Sequence, residues 1–318
     1  MTVVLMSRAE SAATWAAELR RQAPDLDLKV WPHETEGLDP AEVAYVIAAK
    51  PPPGVIAGYP NVKAVLSLWA GVDHITADPD FPRRLPIARM VEEGLTRGMR
   101  EFVVAQALNA HLKTPDYLRQ QRERVWRPEI RGPHGTEPLV DEVTVGILGL
   151  GVLGSDCAAA LRDFGFQVAG WATSRKAIDG VACYAGEGER AELLARTDIL
   201  VNLLPRTAAT ENILDAALFQ ELKPGAYLIN VGRGEHLVEE DLIAALDDGR
   251  LAGATLDVFR TEPLPQDHPF WTHPKIVVTP HVASITRVKT GVDRLVTAIR
   301  SFEAGETPVG VVDPNVGY

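Results

Sequence analysis

The sequence predicts an α/β protein with two domains, each containing a parallel, doubly wound sheet. Short apolar runs alternate with helical patterns along most of the chain, which indicates repeated strand–helix units. Strands of this apolar character are typical of parallel sheets that helices cover on both faces. The chain has 318 residues, which is more than a single hydrophobic core usually organises, so two domains are expected.

The first part of the chain predicts four strands and an early helix. The predicted strands are residues 3–6, 26–30, 45–48 and 62–66, and the helix is 11–21. A stretch rich in proline and arginine follows at 79–89. A helix at 98–113 is then expected to lead into the second domain.

The second part opens with a strand at 143–148 and repeats strand and helix to the end. The further predicted strands are 167–171, 199–204, 226–231, 254–259 and 276–279. The last helix, 287–303, is expected to return to the first domain. We therefore predict one domain from residues 1–98 and 285–318, and another from residues 99–284.

Composition limits the classes of function and partner. Hydrophobic residues make up 46% of the chain and charged residues 24%, as in ordinary soluble globular proteins. The formal net charge of −11 disfavours nucleic acid and anionic membranes as partners. An anionic substrate would then need a specific local cation.

The N-terminus and the cysteines add two further expectations. Residues 1–8 form a short apolar run without a basic leader, and no apolar stretch reaches the roughly 18 residues of a membrane span, so we expect a cytoplasmic protein. Cys157 and Cys183 lack metal-ligand spacing. We interpret them as free thiols and expect no metal site.

A glycine-rich turn follows the strand at 143–148. Gly149, Gly151 and Gly154 form GxGxxG and precede an alanine-rich helix at 155–164. In this context the first glycine allows a tight turn, the second lets the backbone approach a pyrophosphate, and the third allows close packing of helix on strand. The pattern predicts a dinucleotide site of the Rossmann type, with a plain strand–helix turn as the alternative interpretation.

The next strand indicates which dinucleotide is preferred. An NAD site usually has an acidic residue at the end of that strand, yet none occurs between Phe164 and Ile178. Ser174, Arg175 and Lys176 instead offer a hydroxyl and two positive charges, which suit a ribose 2′-phosphate. We therefore predict a preference for NADP(H), with NAD(H) as a second cofactor. A solvated basic turn is the alternative.

Three residues with ionisable side chains follow consecutive predicted strands of the second domain. Arg233 follows the strand at 226–231, Glu262 the strand at 254–259, and His281 the strand at 276–279. In a doubly wound sheet, functional groups gather beyond the carboxyl ends of the strands. These three side chains are therefore expected at one edge of the sheet, beside the nicotinamide.

These residue types suit hydride transfer to the C2 carbon of a small 2-keto acid. The developing oxyanion needs a proton, and His281 is the type of side chain that supplies one near neutral pH. A carboxylate at Glu262 would favour and orient the charged imidazole. Arg233 would hold the substrate carboxylate and polarise the carbonyl, and so provide the local cation.

Other positions complete the predicted site. Ala70 and Gly71, in a turn after a first-domain strand, could offer backbone N–H groups to the substrate carboxylate. The remaining histidines lack the placement of His281, and we interpret them as structural: His33, His74, His111, His134, His236, His268 and His273.

Nine stretches resemble the D-isomer-specific 2-hydroxyacid dehydrogenase family, and within it the glyoxylate/hydroxypyruvate reductase A group. They are AGVDH (70–74), LGVLGS (150–155), SRK (174–176), NLLP (202–205), GAYL (225–228), RG (233–234), LDVF (256–259), EPLP (262–265) and TPHVA (279–283). The resemblance covers nearly the whole chain. One departure is Ala172-Thr173, where relatives often carry more polar or basic residues.

The resemblance implies a Rossmann cofactor domain and a flavodoxin-like substrate domain with a cleft between them. It implies Arg233, Glu262 and His281 as the catalytic residues and Asp257 as a partner of the nicotinamide carboxamide. It also implies NADPH-dependent reduction of glyoxylate and hydroxypyruvate to D-2-hydroxy acids, and a homodimer formed through the cofactor domain and its helix. Further cofactor contacts are expected at Val152, Leu153, Leu204, Pro205, Val231 and Gly232.

Two other functions are alternatives to this one. Tyr59 and Lys63 form the YxxxK pattern of short-chain dehydrogenases, but the pair precedes the glycine-rich turn and contains Pro60, which argues against that class. A dinucleotide-sensing protein without turnover would keep the fold and lose the chemistry. The presence of Arg233, Glu262 and His281 disfavours it.

Overall fold

A computed structural model describes residues 1–9, 11–129 and 137–314 of the chain. The chain divides into two compact units, which we call the first and the second unit. The first contains Met1–Leu95 and the C-terminal segment from Ile285, and the second contains Thr96–Ser284. The N-terminal boundary lies slightly before the one predicted at 98. Which unit holds substrate and which holds cofactor stays a prediction.

The first unit contains a six-stranded sheet. Its strands are β1 (Thr2–Ser7), β2 (Asp27–Val30), β3 (Val43–Ala49), β4 (Ala64–Ser67), β5 (Ile87–Ala88) and β13 (Val311–Val312). The order is β13-β5-β4-β3-β1-β2, and only β13 is antiparallel to its neighbour. The order 2-1-3-4-5 of the parallel strands is the flavodoxin-like one.

In the described part of the chain, three α-helices belong wholly to the first unit: α1 (Ala12–Gln22), α2 (Asp73–Thr76) and α9 (Val288–Glu303). Ser11 caps α1, because its hydroxyl accepts a hydrogen bond from the amide of Thr14 at 3.3 Å. The last helix packs against the first, and a Cβ added at Gly291 would lie 2.7 Å from the Trp15 ring. The last helix therefore lies in the same compact unit as the first part of the chain.

The second unit contains a seven-stranded sheet in which all neighbouring strands are parallel. Its strands are β6 (Thr144–Leu148), β7 (Gln167–Ala172), β8 (Ala182–Ala185), β9 (Ile199–Asn202), β10 (Ala226–Asn230), β11 (Leu251–Leu256) and β12 (Ile276–Val278). The order β12-β11-β10-β9-β6-β7-β8 is the Rossmann order with one additional strand. The predicted fold class is confirmed.

Among the residues described in this unit, six α-helices accompany the sheet along the chain: α3 (Glu93–His111), α4 (Thr114–Glu123), α5 (Val152–Phe164), α6 (Glu187–Ala195), α7 (Ala216–Glu221) and α8 (Glu239–Asp247). The boundary between the units falls within α3. The middle strands β6 and β9 are fully buried, as expected for a parallel sheet covered on both faces. In the part of the chain that the structure describes, no helix is both long and apolar enough to cross a membrane.

The structure adds three strands to those predicted and moves the start of one helix. The strands β5, β8 and β13 were not predicted, because β5 and β13 contain two residues each and β8 is a half-buried edge strand. Helix α3 starts at Glu93 rather than at 98. The carboxylate of Glu92 explains this start, since it accepts hydrogen bonds from the amides of Gly94 and Leu95 at 2.6 and 2.7 Å.

Candidate active site

The glycine-rich turn joins β6 to α5 in a backbone shape that excludes larger residues. Gly149 has φ +102°, and a Cβ added there would lie 2.8 Å from the carbonyl oxygen of Leu203. A Cβ added at Gly154 would lie 1.8 Å from the carbonyl oxygen of Gly149. Both positions therefore require glycine, as the sequence pattern predicts.

The second glycine of the turn provides an opening for a phosphate group. A Cβ added at Gly151 would meet no atom within 4 Å, so the space beside it is open. Helix α5 begins at the next residue, Val152, and no side chain caps it. Uncapped N–H groups at a helix N-terminus attract anions. This turn therefore fits the pyrophosphate of a dinucleotide, with Val152 and Leu153 in the first helical turn.

The basic turn after β7 is exposed, but one of its cations already has a partner. Ser174, Arg175 and Lys176 are all exposed. The guanidinium of Arg175 donates to the carbonyl of Cys183 at 2.9 Å and forms an ion pair with Glu189. On cofactor binding, Arg175 would thus either contact both Glu189 and a 2′-phosphate or leave Glu189 for the phosphate.

Sequence reasoning missed Glu189, because the edge strand β8 that brings it close was not predicted. The Glu189 carboxylate also accepts a hydrogen bond from the amide of Ala185 at 2.9 Å. This backbone hydrogen bond, with the hydrogen bond and positive charge of Arg175, lowers the pKa of Glu189 below its ordinary value. The carboxylate is therefore charged near neutral pH and competes with any anion for Arg175.

Three buried polar side chains shape the loop that carries Arg233. The amide nitrogen of Asn202 donates to Oδ1 of Asn230 at 2.9 Å and lies 2.8 Å from Nδ1 of His236. Nδ1 of His236 also accepts the amide of Arg233 at 3.1 Å. Since Nδ1 is an acceptor, the proton of a neutral His236 lies on Nε2, which donates to the carbonyl of Pro205 at 3.2 Å.

His236 therefore fixes the backbone of Arg233, which agrees with its interpretation as structural. The network continues through Gly232, whose amide donates to Oδ1 of Asn230 at 3.2 Å. Leu204 and Val231 are buried beside it, while Pro205 is connected through its carbonyl to His236. The side chain of Arg233 donates through Nη1 to the carbonyl of Gly232 at 2.7 Å.

Gly234 brings the loop after β10 against the loop after β11. A Cβ added at Gly234 would lie 1.9 Å from the carbonyl carbon of Phe259. The amide of Phe259 in turn donates to Oε1 of Glu262 at 3.0 Å. The Arg233 loop and the Glu262 loop are thereby held in close contact.

His281 and Glu262 form a direct pair. Nδ1 of His281 lies 2.8 Å from Oε2 of Glu262, and the His281 side chain is 47% exposed. A carboxylate at Nδ1 fixes a proton there and turns Nε2 outward. Among the described residues Nε2 has no hydrogen-bond partner, so it is available to a substrate.

The charge state of Glu262 follows from its surroundings. Burial raises the pKa of the Glu262 carboxyl, but three effects outweigh burial: the hydrogen bond from His281, the hydrogen bond from the amide of Phe259, and the positive charges of His281 and Arg233. The net pKa lies below the ordinary value. Arg233 is thus close enough to act on Glu262, and the carboxylate is ionised near neutral pH.

Asp257 supports the turn that presents His281. His281 has φ +53°, a left-handed conformation that costs free energy in a residue other than glycine. The Asp257 side chain is buried and accepts hydrogen bonds from the Thr279 hydroxyl at 2.6 Å and from the amides of Val282 and Ala283 at 2.9 Å. The amide of His281 donates to the Asp257 carbonyl at 2.8 Å. Both oxygens of the Asp257 carboxylate therefore bind groups of this turn. A contact of Asp257 with the nicotinamide stays a prediction.

The turn predicted to hold the substrate carboxylate lies in the first unit. The Ser67 hydroxyl, at the end of β4, lies 2.9 Å from the carbonyl of Trp69 and 3.4 Å from that of Gly71. The amide of Met90 also donates to the carbonyl of Trp69 at 2.9 Å. Ala70 and Gly71 are partly exposed. Their proposed role at the substrate stays a prediction.

The other histidines show no comparable arrangement in the residues that the structure describes. His268 lies 3.2 Å from Glu239, the first residue of α8, and His273 lies 3.3 Å from Asp247, the last residue of that helix. His134 lies outside the described residues. Arg233, Glu262 and His281 follow the neighbouring strands β10, β11 and β12 at one sheet edge, which can combine an anion-binding cation with an oriented proton donor.

Comparisons with known proteins support this interpretation. A family model described as D-isomer specific 2-hydroxyacid dehydrogenase, NAD binding domain, matches residues 104–283. The chain is 41% identical to a glyoxylate/hydroxypyruvate reductase A from Serratia proteamaculans, over all of both chains. A protein of the same name from Yersinia enterocolitica is 38% identical, again over all of both chains.

Two solved structures are similar over the full chain. A D-isomer specific 2-hydroxyacid dehydrogenase from Xanthobacter autotrophicus, in complex with NADPH and MES, is 38% identical with a TM-score of 0.93, covering 100% of this chain and 99% of that one. An NADPH-dependent glyoxylate/hydroxypyruvate reductase from Sinorhizobium meliloti, in complex with NADP and sulfate, is 35% identical with a TM-score of 0.91 and the same coverage. The chain belongs to the D-isomer specific 2-hydroxyacid dehydrogenase family.

Proposed function

We propose that this protein reduces small 2-keto acids, glyoxylate and hydroxypyruvate among them, to D-2-hydroxy acids with NADPH. The observation that carries the proposal is the pair of His281 and Glu262 at 2.8 Å, with Arg233 close enough to lower the Glu262 pKa. When bound, the nicotinamide supplies a hydride to the C2 carbon. The chain itself has to bind the acid, orient the carbonyl and deliver a proton.

The three residues have different tasks in this reaction. The Arg233 guanidinium binds the substrate carboxylate and stabilises negative charge on the carbonyl oxygen. Nε2 of His281 donates a proton to that oxygen, and Glu262 at Nδ1 stabilises the charged imidazole before the transfer. The networks of Asn202, Asn230 and His236 hold the Arg233 loop in place before substrate arrives.

The relatives support the same substrates and cofactor. Full-length relatives are named glyoxylate/hydroxypyruvate reductase A, and two similar solved structures contain NADPH or NADP. The open space at Gly151 and the basic turn at Arg175 and Lys176 suit that cofactor. We assign the cofactor to the second unit, which carries these features, and the substrate-carboxylate turn at Ala70 and Gly71 to the first.

A steady-state assay tests the proposed function against the sensing alternative. Purified protein is assayed with glyoxylate, hydroxypyruvate, pyruvate and 2-ketobutyrate, each with NADPH and with NADH. Turnover of the first two acids with NADPH is expected, with lower kcat/KM for NADH. Binding of NADPH without turnover of any 2-keto acid would favour a dinucleotide-sensing protein.

We further propose a homodimer and a cytoplasmic location. The dimer is supported by apolar side chains that lie exposed on and after α4, in particular Leu118 at 49% and Trp126 at 100% exposure. The helix predicted at the interface, 99–112, buries Val103 and Ala107 in the core of its own unit, while the side chains between them are exposed or partly exposed. We propose that this exposed face and the exposed residues on and after α4 form the interface together. Cell fractionation tests the location.

A further inference from the structure

A cavity of about 150 Å³ lies within the first unit, apart from the residues of the proposed reaction. It is lined by α9 on one side, by the ends of β4 and β5 on the other and by residues 307–309, and it is partly open to solvent. Its volume suits a few water molecules or a small ion. Among the residues that the structure describes, two arginines, Arg89 and Arg294, line it, and no acidic residue does.

Arg89 is held in this cavity by its backbone and has no anionic partner there. It follows β5 directly, and its amide donates to the carbonyl of Gly310 at 2.9 Å. Burial lowers the pKa of the Arg89 guanidinium, and no carboxylate in the described ranges 1–9, 11–129 and 137–314 offsets this effect. Among the described residues, no side chain or carbonyl forms a hydrogen bond or ion pair with this guanidinium. A partly buried arginine without a partner is unfavourable and unusual.

Arg294 adds a second positive charge to the same space. Its Nε donates to the carbonyl of Val91 at 2.8 Å, a contact that holds the side chain along the cavity wall. The terminal nitrogens of its guanidinium have no partner among the described residues. Two guanidinium groups that share a cavity without a carboxylate repel one another, and an anion between them would remove the repulsion.

We propose that this cavity binds a small oxyanion, either inorganic phosphate or a short carboxylate, between Arg89 and Arg294. The arginines supply charge-assisted hydrogen bonds, for which a planar guanidinium is well suited. The hydroxyl groups of Ser301 and Thr307 also line the cavity and can donate to the same ion. Apolar residues such as Met90 and Leu295 complete the wall and exclude larger polar ligands.

The cavity shares structural elements with the turn at Ala70 and Gly71. Ser67 and Met90 line it, and both are hydrogen-bonded to the carbonyl of Trp69 at 2.9 Å. A bound oxyanion would therefore bias the position of that turn, and we expect it to change the KM for the 2-keto acid more than kcat. This effect on KM rests on the proposed function, whereas the binding itself does not.

Isothermal titration calorimetry on the NADP-saturated protein tests the binding. Inorganic phosphate and malonate are titrated separately, in order to distinguish the two sources of oxyanion. The variants are Arg89→Gln, Arg233→Gln as a change at the proposed catalytic edge, and Arg84→Gln as a control at an exposed arginine of the same unit. We expect wild-type protein, Arg233→Gln and Arg84→Gln to bind at least one of the two anions with the same dissociation constant. Arg89→Gln should bind about tenfold more weakly or not at all.

Thermal unfolding without added anions provides a second measurement. Because Arg89 is unpaired, Arg89→Gln should unfold at the same temperature as wild type or higher, but should lose the stabilisation that phosphate or malonate gives wild type. Equal anion binding by Arg89→Gln and wild type would overturn the proposal. The proposal would also be overturned if wild type bound neither anion at a concentration about tenfold above the millimolar dissociation constants expected for small ions.

Discussion

At the scale of single residues, the two nitrogens of the His281 ring have different environments. Nδ1 is held by Glu262 at 2.8 Å, and the other nitrogen lies on a side chain that is 47% exposed. The left-handed backbone of His281 is maintained by Asp257, which accepts the amides of the next two residues. This combination of a fixed ring and an accessible nitrogen is what proton donation to a substrate requires.

Replacing His281 by alanine should remove turnover but not cofactor binding. The change deletes the proton donor and leaves the glycine-rich turn intact, so kcat for glyoxylate should fall by about 100 to 10,000-fold. The dissociation constant for NADPH, measured by fluorescence titration, should change little. His33→Ala, at an exposed histidine of the first unit, serves as the control and should keep wild-type kcat. Near-wild-type turnover of His281→Ala would exclude it as the proton donor.

Glu262 should make stability depend on pH. Its pKa is lowered in the folded state from the ordinary 4.5, so the ionised carboxylate stabilises the fold above that value. The contribution is lost as the pH falls below about 4.5 and through the lowered pKa of the folded state. Melting temperatures of wild type and Glu262→Gln should therefore converge on acidification.

The control for this experiment is Glu240→Gln, at an exposed glutamate on α8. It should follow the wild-type melting temperature at every pH. A constant difference between wild type and Glu262→Gln from neutral to acid pH would show that the Glu262 charge does not stabilise the folded state.

At the scale of the elements, the turn between β6 and α5 depends on close backbone contact. Gly154→Ala would place a Cβ 1.8 Å from the Gly149 carbonyl oxygen, so the helix would have to move away from the strand. We expect a loss of about 3 kcal/mol or more in the free energy of unfolding. Weaker NADPH binding should accompany it, because the pyrophosphate-binding backbone moves too.

Gly188→Ala is the matched control, since it is also a helical glycine of the second unit. A Cβ there meets no atom within 4 Å, and alanine favours helix, so the free energy of unfolding should stay the same or rise by about 0.5–1 kcal/mol. Chemical denaturation measures both variants. A Gly154→Ala protein as stable as Gly188→Ala would contradict the close contact.

The basic turn after β7 should determine cofactor preference. Arg175→Ala should raise the KM for NADPH by about tenfold and leave the KM for NADH nearly unchanged, because only NADPH carries the 2′-phosphate. The effect is expected to be modest because the side chain is exposed and already paired with Glu189. Arg196→Ala, at another exposed arginine of the unit, is the control. Equal changes for both cofactors would show that Arg175 does not contact the phosphate.

At the scale of the whole molecule, exposed apolar surface predicts self-association. Leu118 and Trp126 are exposed in the described chain, and large apolar side chains of this kind often form subunit interfaces. Light scattering at micromolar concentration should give the mass of a dimer for wild type and of a monomer for Trp126→Ser combined with Leu118→Ser. The exposed Phe164→Ser is the control and should stay dimeric. A monomeric wild type would contradict the prediction.

The amino-acid sequence alone determined the fold class, the glycine-rich turn and the three residues Arg233, Glu262 and His281. These features depend on local patterns: apolar runs predict strands, and glycine spacing predicts the turn. The parallel arrangement then implies that residues after neighbouring strands meet at one edge. The strands β5, β8 and β13 could not be predicted, because two residues form no pattern and β8 is a half-buried edge strand without a continuous buried face.

Only the tertiary structure decided which partners these residues have. The pairing of Arg175 with Glu189 depends on β8 lying beside β7. Asp257 holds the His281 turn because its carboxylate accepts hydrogen bonds from backbone amides far along the chain. Likewise, the cavity between Arg89 and Arg294 is formed by the end of β5 and by α9, which lie far apart in the sequence. Contacts between residues so distant in the chain leave no local pattern, since they arise from the packing of whole elements.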